Sequence, residues 1–161
     1  MSTAVAYSRL QISLHWLIAI LITAAWFISD GMGRALRQRL EAGETGFTGN
    51  TVHVWIGSAV FALILLRILV RALQGAPIPM QSSPLLEAAA LWGHRLLYAL
   101  MIAVPGLGAL TWYAGVGEAG DVHAVAANAL LIVALGHAAV AIWHQLVRRD
   151  GTLTRMTRPR A

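Results

Sequence analysis

Six histidines carry the chemistry of this sequence: His15, His53, His94, His123, His137 and His144, each inside or beside an apolar run. His137 follows His123 by fourteen residues, which in an α-helix is a rise of about 21 Å with a net rotation of only about 40°. One helix therefore presents imidazoles toward the same side at two depths. Each has a counterpart at its own depth, His53 for His123 and His15 for His137. Two imidazoles facing each other across a helical bundle suit the axial positions of a six-coordinate b-type haem, because neutral nitrogen suits iron and electron transfer needs no open coordination position. The pattern predicts two haem b groups stacked across the bundle, with iron held by His15 and His137 in one and by His53 and His123 in the other.

Other metal chemistry fits less well. The chain has no cysteine, which removes thiolate metal sites and covalent haem attachment. Zinc or iron transport would call for carboxylates beside the imidazoles, and the spans hold only Glu87, near an end. His94 and His144 remain on the His15 and His137 half. With Arg95 they are candidates for a quinone site, where a histidine donates to a carbonyl and supplies protons. His94 is also the alternative to His15 or His137 as an iron ligand. A transporter or purely structural bundle, each histidine bonded to a backbone carbonyl, is the non-redox reading.

The elements that must position these side chains are membrane helices. Of 161 residues 58% are hydrophobic and 12% are charged, against about 25% charged in an ordinary soluble domain, so lipid is the solvent. Residues 10–29 are free of formal charge and match the roughly 20 residues needed to cross a hydrocarbon core. They read as a retained span, since the apolar part of a cleaved leader is shorter. Further spans are expected at 51–70, 88–113 and 122–147, giving an all-α, integral membrane four-helix bundle in one domain over 1–161. Arg67 interrupts the second span near its end, where its long side chain can snorkel to the headgroups. "QGAPIPMQSSP", Gln74 to Pro84, breaks the chain between spans two and three. Pro105 predicts a kink in span three, the short turn "AGVGEAG" joins spans three and four, and Asp121 is expected to cap span four.

All twelve basic residues are arginines and the formal charge is +5. They flank the spans rather than forming one face, which speaks for topology and against nucleic-acid binding. With a cytoplasmic N-terminus, Arg9, Arg67, Arg71 and the tail residues Arg148, Arg149, Arg155, Arg158 and Arg160 share the cytoplasmic side, while Arg34, Arg37 and Arg39 face away. This satisfies the positive-inside rule and places both termini in the cytoplasm. Trp16, Trp26, Trp55, Trp92, Trp112, Tyr113 and Trp143 read as interfacial aromatics. Gly57, Gly93 and Gly136 sit near ligand positions, where small residues would leave room for a porphyrin face or for ordinary helix packing.

The segments "YSRLQISLHWL", "HVWIG…LRILVR", "GHRLLY" and "LGHAAVAIWHQLVRRDGTLTRM" resemble the bacterial cytochrome b561 family over nearly the whole chain. The resemblance implies a four-helix protein of the bacterial inner membrane with two haems b on His15, His53, His123 and His137. It also implies electron exchange with ubiquinone on the cytoplasmic half and, as in some members, superoxide as the periplasmic donor. Two departures stand out: a short turn between spans three and four, and a loop with Gln81 and Ser82 but no lysine before span three. If superoxide is the donor, Arg34, Arg37 and Arg39 in "GRALRQRLEAGE" could attract the anion, although the same stretch also reads as a solvated loop. The remaining alternative is an electron-transfer subunit for a periplasmic or membrane redox protein, with no small substrate of its own.

Overall fold

The computed structural model describes residues 6–77 and 84–159; Gln81, Ser82 and Arg160 lie outside the described residues. Five α-helices carry the fold: α1 (Arg9–Phe27), α2 (Met32–Glu41), α3 (Val52–Gln74), α4 (Pro84–Ala114) and α5 (Glu118–Trp143). Of these, α1, α3, α4 and α5 are long and apolar enough to cross a membrane. After α5 the chain makes a π-helical turn over His144–Arg148, reverses at Arg149 in the left-handed region (φ 54°) and ends in a 3-10 turn at Leu153–Met156.

Local chemistry sets the helix starts. Ser8 caps α1 through a reciprocal pair: its hydroxyl accepts from the Gln11 amide, and the Gln11 side chain accepts from the Ser8 amide. Thr51 caps α3 by accepting from the Val54 amide. Pro84 is the first residue of α4, where its missing N–H is one that a helix start leaves unpaired anyway. Helix α4 runs on through Pro105. Gly115, at φ +73°, lets the chain turn immediately after α4, so α5 starts at Glu118 rather than at the expected Asp121 cap. Asp121 instead lies in the first turn, where its carboxylate complements the helix dipole.

The helices pack in the order α1 on α3, α3 on α4 and α4 on α5, and α5 meets α1 and α3 through facing histidine rings. A buried cluster of Ile18, Val60 and Ile64, flanked by Leu21, Ile22, Ile56 and Met101, joins α1, α3 and α4. Leu130, midway between His123 and His137, is buried on α5. Outward-facing residues such as Ile20, Val125, Ile132 and Leu135 are well exposed, which is stable only where lipid covers them.

The stretch "GRALRQRLEAGE" is helical rather than a solvated loop. Its Leu36 and Leu40 press onto the α4–α5 turn, where a Cβ on Gly120 would stand 2.9 Å from Leu36 Cδ2 and one on Gly117 would stand 3.2 Å from Leu40 Cδ1. The turn's glycines therefore permit the close approach of α2. Four successive long helices leave the start of α1 and the end of α5 on the face opposite α2. There the Trp16 indole on α1 donates to the Met156 carbonyl at 2.8 Å, tying the tail back to the first helix.

Candidate haem-binding site

Four histidines meet in two pairs. On the α2 side, His53 of α3 and His123 of α5 have ring centres 6.1 Å apart with planes at 88°. On the terminal side, His15 of α1 and His137 of α5 have ring centres 6.4 Å apart with planes at 74°. All four are half-buried. A metal–imidazole bond of roughly 2 Å, with the ring centre about 1 Å behind the ligating nitrogen, separates two ring centres on one ion by roughly 6 Å. Both pairs therefore fit a shared iron. Among the described residues no group of three or more histidine or acidic side chains converges to hold a metal ion, so the pairs are two-ligand sites that suit an ion whose other ligands come from a macrocycle.

Backbone carbonyls orient the α2-side pair. His53 Nδ1 donates to Ala25 O at 2.9 Å and His123 Nδ1 donates to Val104 O at 2.8 Å. In each ring Nε2 is then the nitrogen left to bind a metal, and the bond at Nδ1 makes it a better ligand. The His123 ring also lies against Gly108, where a Cβ would stand 3.1 Å from its Cε1 and 3.2 Å from its Nδ1. At Gly57, Gly93 and Gly136 an added Cβ would meet nothing within 4 Å, so those helix faces are open.

The terminal side also holds a cation. Arg67, half-buried on α3, donates through Nη1 to the Gln11 carbonyl in the first turn of α1 at 2.9 Å. The Gln11 carbonyl lies one turn before His15 and gives the guanidinium a charge-assisted partner.

The residues expected to bind quinone lie on two elements, His94 and Arg95 on α4 and His144 in the π-helical turn after α5. His94 is exposed on α4, with its Nδ1 bonded to Ala90 O and its ring centre 5.2 Å from that of His137. Arg95 lies over the Trp92 ring at 4.9 Å. His144 Nδ1 donates to Asp150 Oδ2 at 2.5 Å. Asp150 also accepts from the Thr152 amide and hydroxyl. Partial burial works to raise the Asp150 carboxyl, but the bonds from Thr152 and His144 outweigh it and hold the group at about 2.

The arginines on the α2 side divide. Arg34 and Arg37 are exposed, whereas Arg39 is only 4% exposed. Its guanidinium donates to the carbonyls of Trp112, Gly46 and Thr48 and to Glu44, and stacks over the Trp112 ring at 4.8 Å. The carbonyls that end α4 lack helical partners, and Arg39 supplies one. This corrects the expectation that Arg39 belongs to an anion-attracting surface. Trp112, 5% exposed beneath it, is likewise no interfacial aromatic. Beside α2 an open cleft of about 470 Å³ reaches His53, and Asp30 is its one charged lining residue.

Fold and site together define an integral membrane helical bundle with two stacked imidazole pairs. The chain belongs to the prokaryotic cytochrome b561 family, whose model matches residues 6–159. It is 41% identical over 154 residues to cytochrome b562 of Cereibacter sphaeroides, covering 96% of each chain. It is 30% identical over an alignment of 172 positions to a probable superoxide oxidase CybB of Yersinia pestis, covering 93% of this chain and 94% of the relative. Membrane electron transfer with haem b is the family's chemistry, and the chain is a prokaryotic membrane protein of that kind.

Proposed function

We propose that this protein carries electrons through two haems b, from a donor on the α2 side to ubiquinone on the terminal side. The observation supporting this most strongly is the pair of facing imidazole pairs, His53 with His123 and His15 with His137, at ring separations of 6.1 and 6.4 Å. Haem b, when bound, supplies a one-electron couple at each level. The four histidines would hold the two irons in pairs, a ligand set suited to electron transfer rather than to binding a substrate at iron. Between the levels, Ile18, Val60, Ile64 and Leu130 exclude water. Arg67 favours the extra negative charge of an electron on the terminal side. There His94, Arg95 and His144 are the residues assigned to quinone, with the His144–Asp150 pair able to hold and pass a proton. The arginine excess puts the terminal side, with both chain ends, in the cytoplasm and α2 in the periplasm of the inner membrane.

The donor we favour is superoxide, with two superoxide anions, one ubiquinone and two protons giving two dioxygen molecules and one ubiquinol. Its support is the resemblance to the probable superoxide oxidase together with the cleft leading to His53. Arg34 and Arg37 would draw the anion in. The test is superoxide-dependent reduction of a soluble ubiquinone analogue by the purified haem-loaded protein, followed as salt rises. Rapid reduction that slows with salt is expected. Haem that stays oxidised under superoxide in the absence of a protein partner would reject this donor.

Two observations favour a second reading, an electron-transfer subunit reduced by a redox protein. The 41% identical relative carries only a cytochrome name, and Asp30 places a negative charge in the cleft that would repel an anionic donor.

A further inference from the structure

We propose that Gly108 is a positioning residue for the α2-side iron: its bare backbone is the seat in which α4 holds the imidazole of His123. This rests on the reading of His123 as an iron ligand. Val104 and Gly108 are four residues apart and so share one face of α4. The Val104 carbonyl accepts from His123 Nδ1 at 2.8 Å. A Cβ at 108 would stand 3.1 Å from Cε1, 3.2 Å from Nδ1 and 3.9 Å from Nε2 of the same ring. The anchored edge of the imidazole is thus the edge lying on the glycine, and Nε2 is the ring nitrogen farthest from it. A side chain at 108 would press on Cε1 and Nδ1, so either the ring gives, stretching its bond to Val104 O or swinging Nε2 off the line to His53, or α4 and α5 move apart. The other glycines along these helices do not share this geometry. At Gly57, Gly93, Gly106 and Gly136 a Cβ would meet nothing within 4 Å, so a methyl group there leaves the histidines untouched.

Losing an oriented bond behind a ligating histidine typically weakens metal binding by about 10- to 100-fold and reduces the basicity of the ring. A less basic imidazole stabilises ferric iron less, so the reduction potential of that site rises. The experiment compares Gly108→Ala, Gly106→Ala and His123→Ala with the natural full-length chain, each purified with the haem it acquires in the membrane. Haem per chain, redox titration and the low-spin electron paramagnetic resonance signals are measured. In Gly108→Ala the terminal-side haem is expected to match the natural protein, while the α2-side haem is retained about tenfold more weakly or titrates at a higher potential with altered g-values. Gly106→Ala is expected to match the natural protein at both sites. Gly108→Ala indistinguishable from the natural protein, equal changes in Gly106→Ala, or loss of both haems together would overturn the proposal, the last by assigning Gly108 to general helix packing. If His123→Ala keeps both haems, the ligand assignment fails instead, and that outcome is read from His123→Ala alone.

Discussion

His94 stands closer to His137 than His15 does, with ring centres 5.2 Å apart against 6.4 Å. The nearer ring is nevertheless the poorer partner for a shared iron. Two imidazoles on one ion need roughly 6 Å between centres, and His94 is exposed on α4 where His15 is half-buried. His94→Ala should therefore keep both haems and slow quinone reduction, whereas His15→Ala should lose the terminal-side haem. Haem per chain and reduced-minus-oxidised spectra decide the matter. Retention after His15→Ala with loss after His94→Ala would reverse the assignment.

Arg67 places a positive charge beside the terminal-side pair and none beside the other. Replacing it with glutamine should lower the reduction potential of the terminal-side haem by on the order of 1 kcal/mol, or ~40 mV for one electron, and leave the α2-side wave in place. A redox titration resolving the two waves measures this. Equal movement of both waves would show that Arg67 acts through the fold rather than through its field.

The three arginines of α2 should separate into two kinds of variant. Arg39→Ala leaves the carbonyls of Trp112, Gly46 and Thr48 without their donor, the first of them buried, and should destabilise the α2 side by about 1–3 kcal/mol. Arg39→Lys should rescue little, because one ammonium cannot reproduce the guanidinium fork. Arg34→Ala and Arg37→Ala should leave thermal unfolding within about 0.5 kcal/mol and slow an anionic donor most at low salt. Melting curves and donor rates across ionic strengths distinguish the two behaviours.

Asp150 couples the tail to pH. Its carboxyl is held at about 2, below the ordinary value of 3.8. A carboxylate with a depressed native value stabilises the folded arrangement fully above 3.8 and loses that contribution as pH falls toward about 2. The return of residues 150–156 onto Trp16 should therefore persist from neutral pH to about pH 4 and loosen below it. Asp150→Asn should loosen it at all pH values. Trp16 fluorescence reports the change, and identical acid profiles for the two proteins would show that Asp150 does not hold the tail.

Much of this architecture is legible in the order of residues. Four apolar stretches of membrane length declare the spans, because a backbone in lipid must satisfy its own hydrogen bonds and does so as helix. The fourteen-residue interval from His123 to His137 declares two levels on one face, because helical geometry converts sequence distance directly into height and angle. Pairing with His53 and His15 follows from depth alone.

Tertiary structure decided what depends on approach between distant segments. Arg39 and Arg34 look alike as neighbours in "GRALRQRL", but only Arg39 faces the α4 terminus, where unpaired carbonyls make burial of a guanidinium favourable. Arg67 reads as a residue near a span end, and only packing gives it the Gln11 carbonyl of α1 as a partner. Gly108 is one of several glycines near a proline until α5 lays His123 across it. Periodicity along one helix says which residues share a face, but which partner occupies that face, and at what distance, is set by how the helices pack.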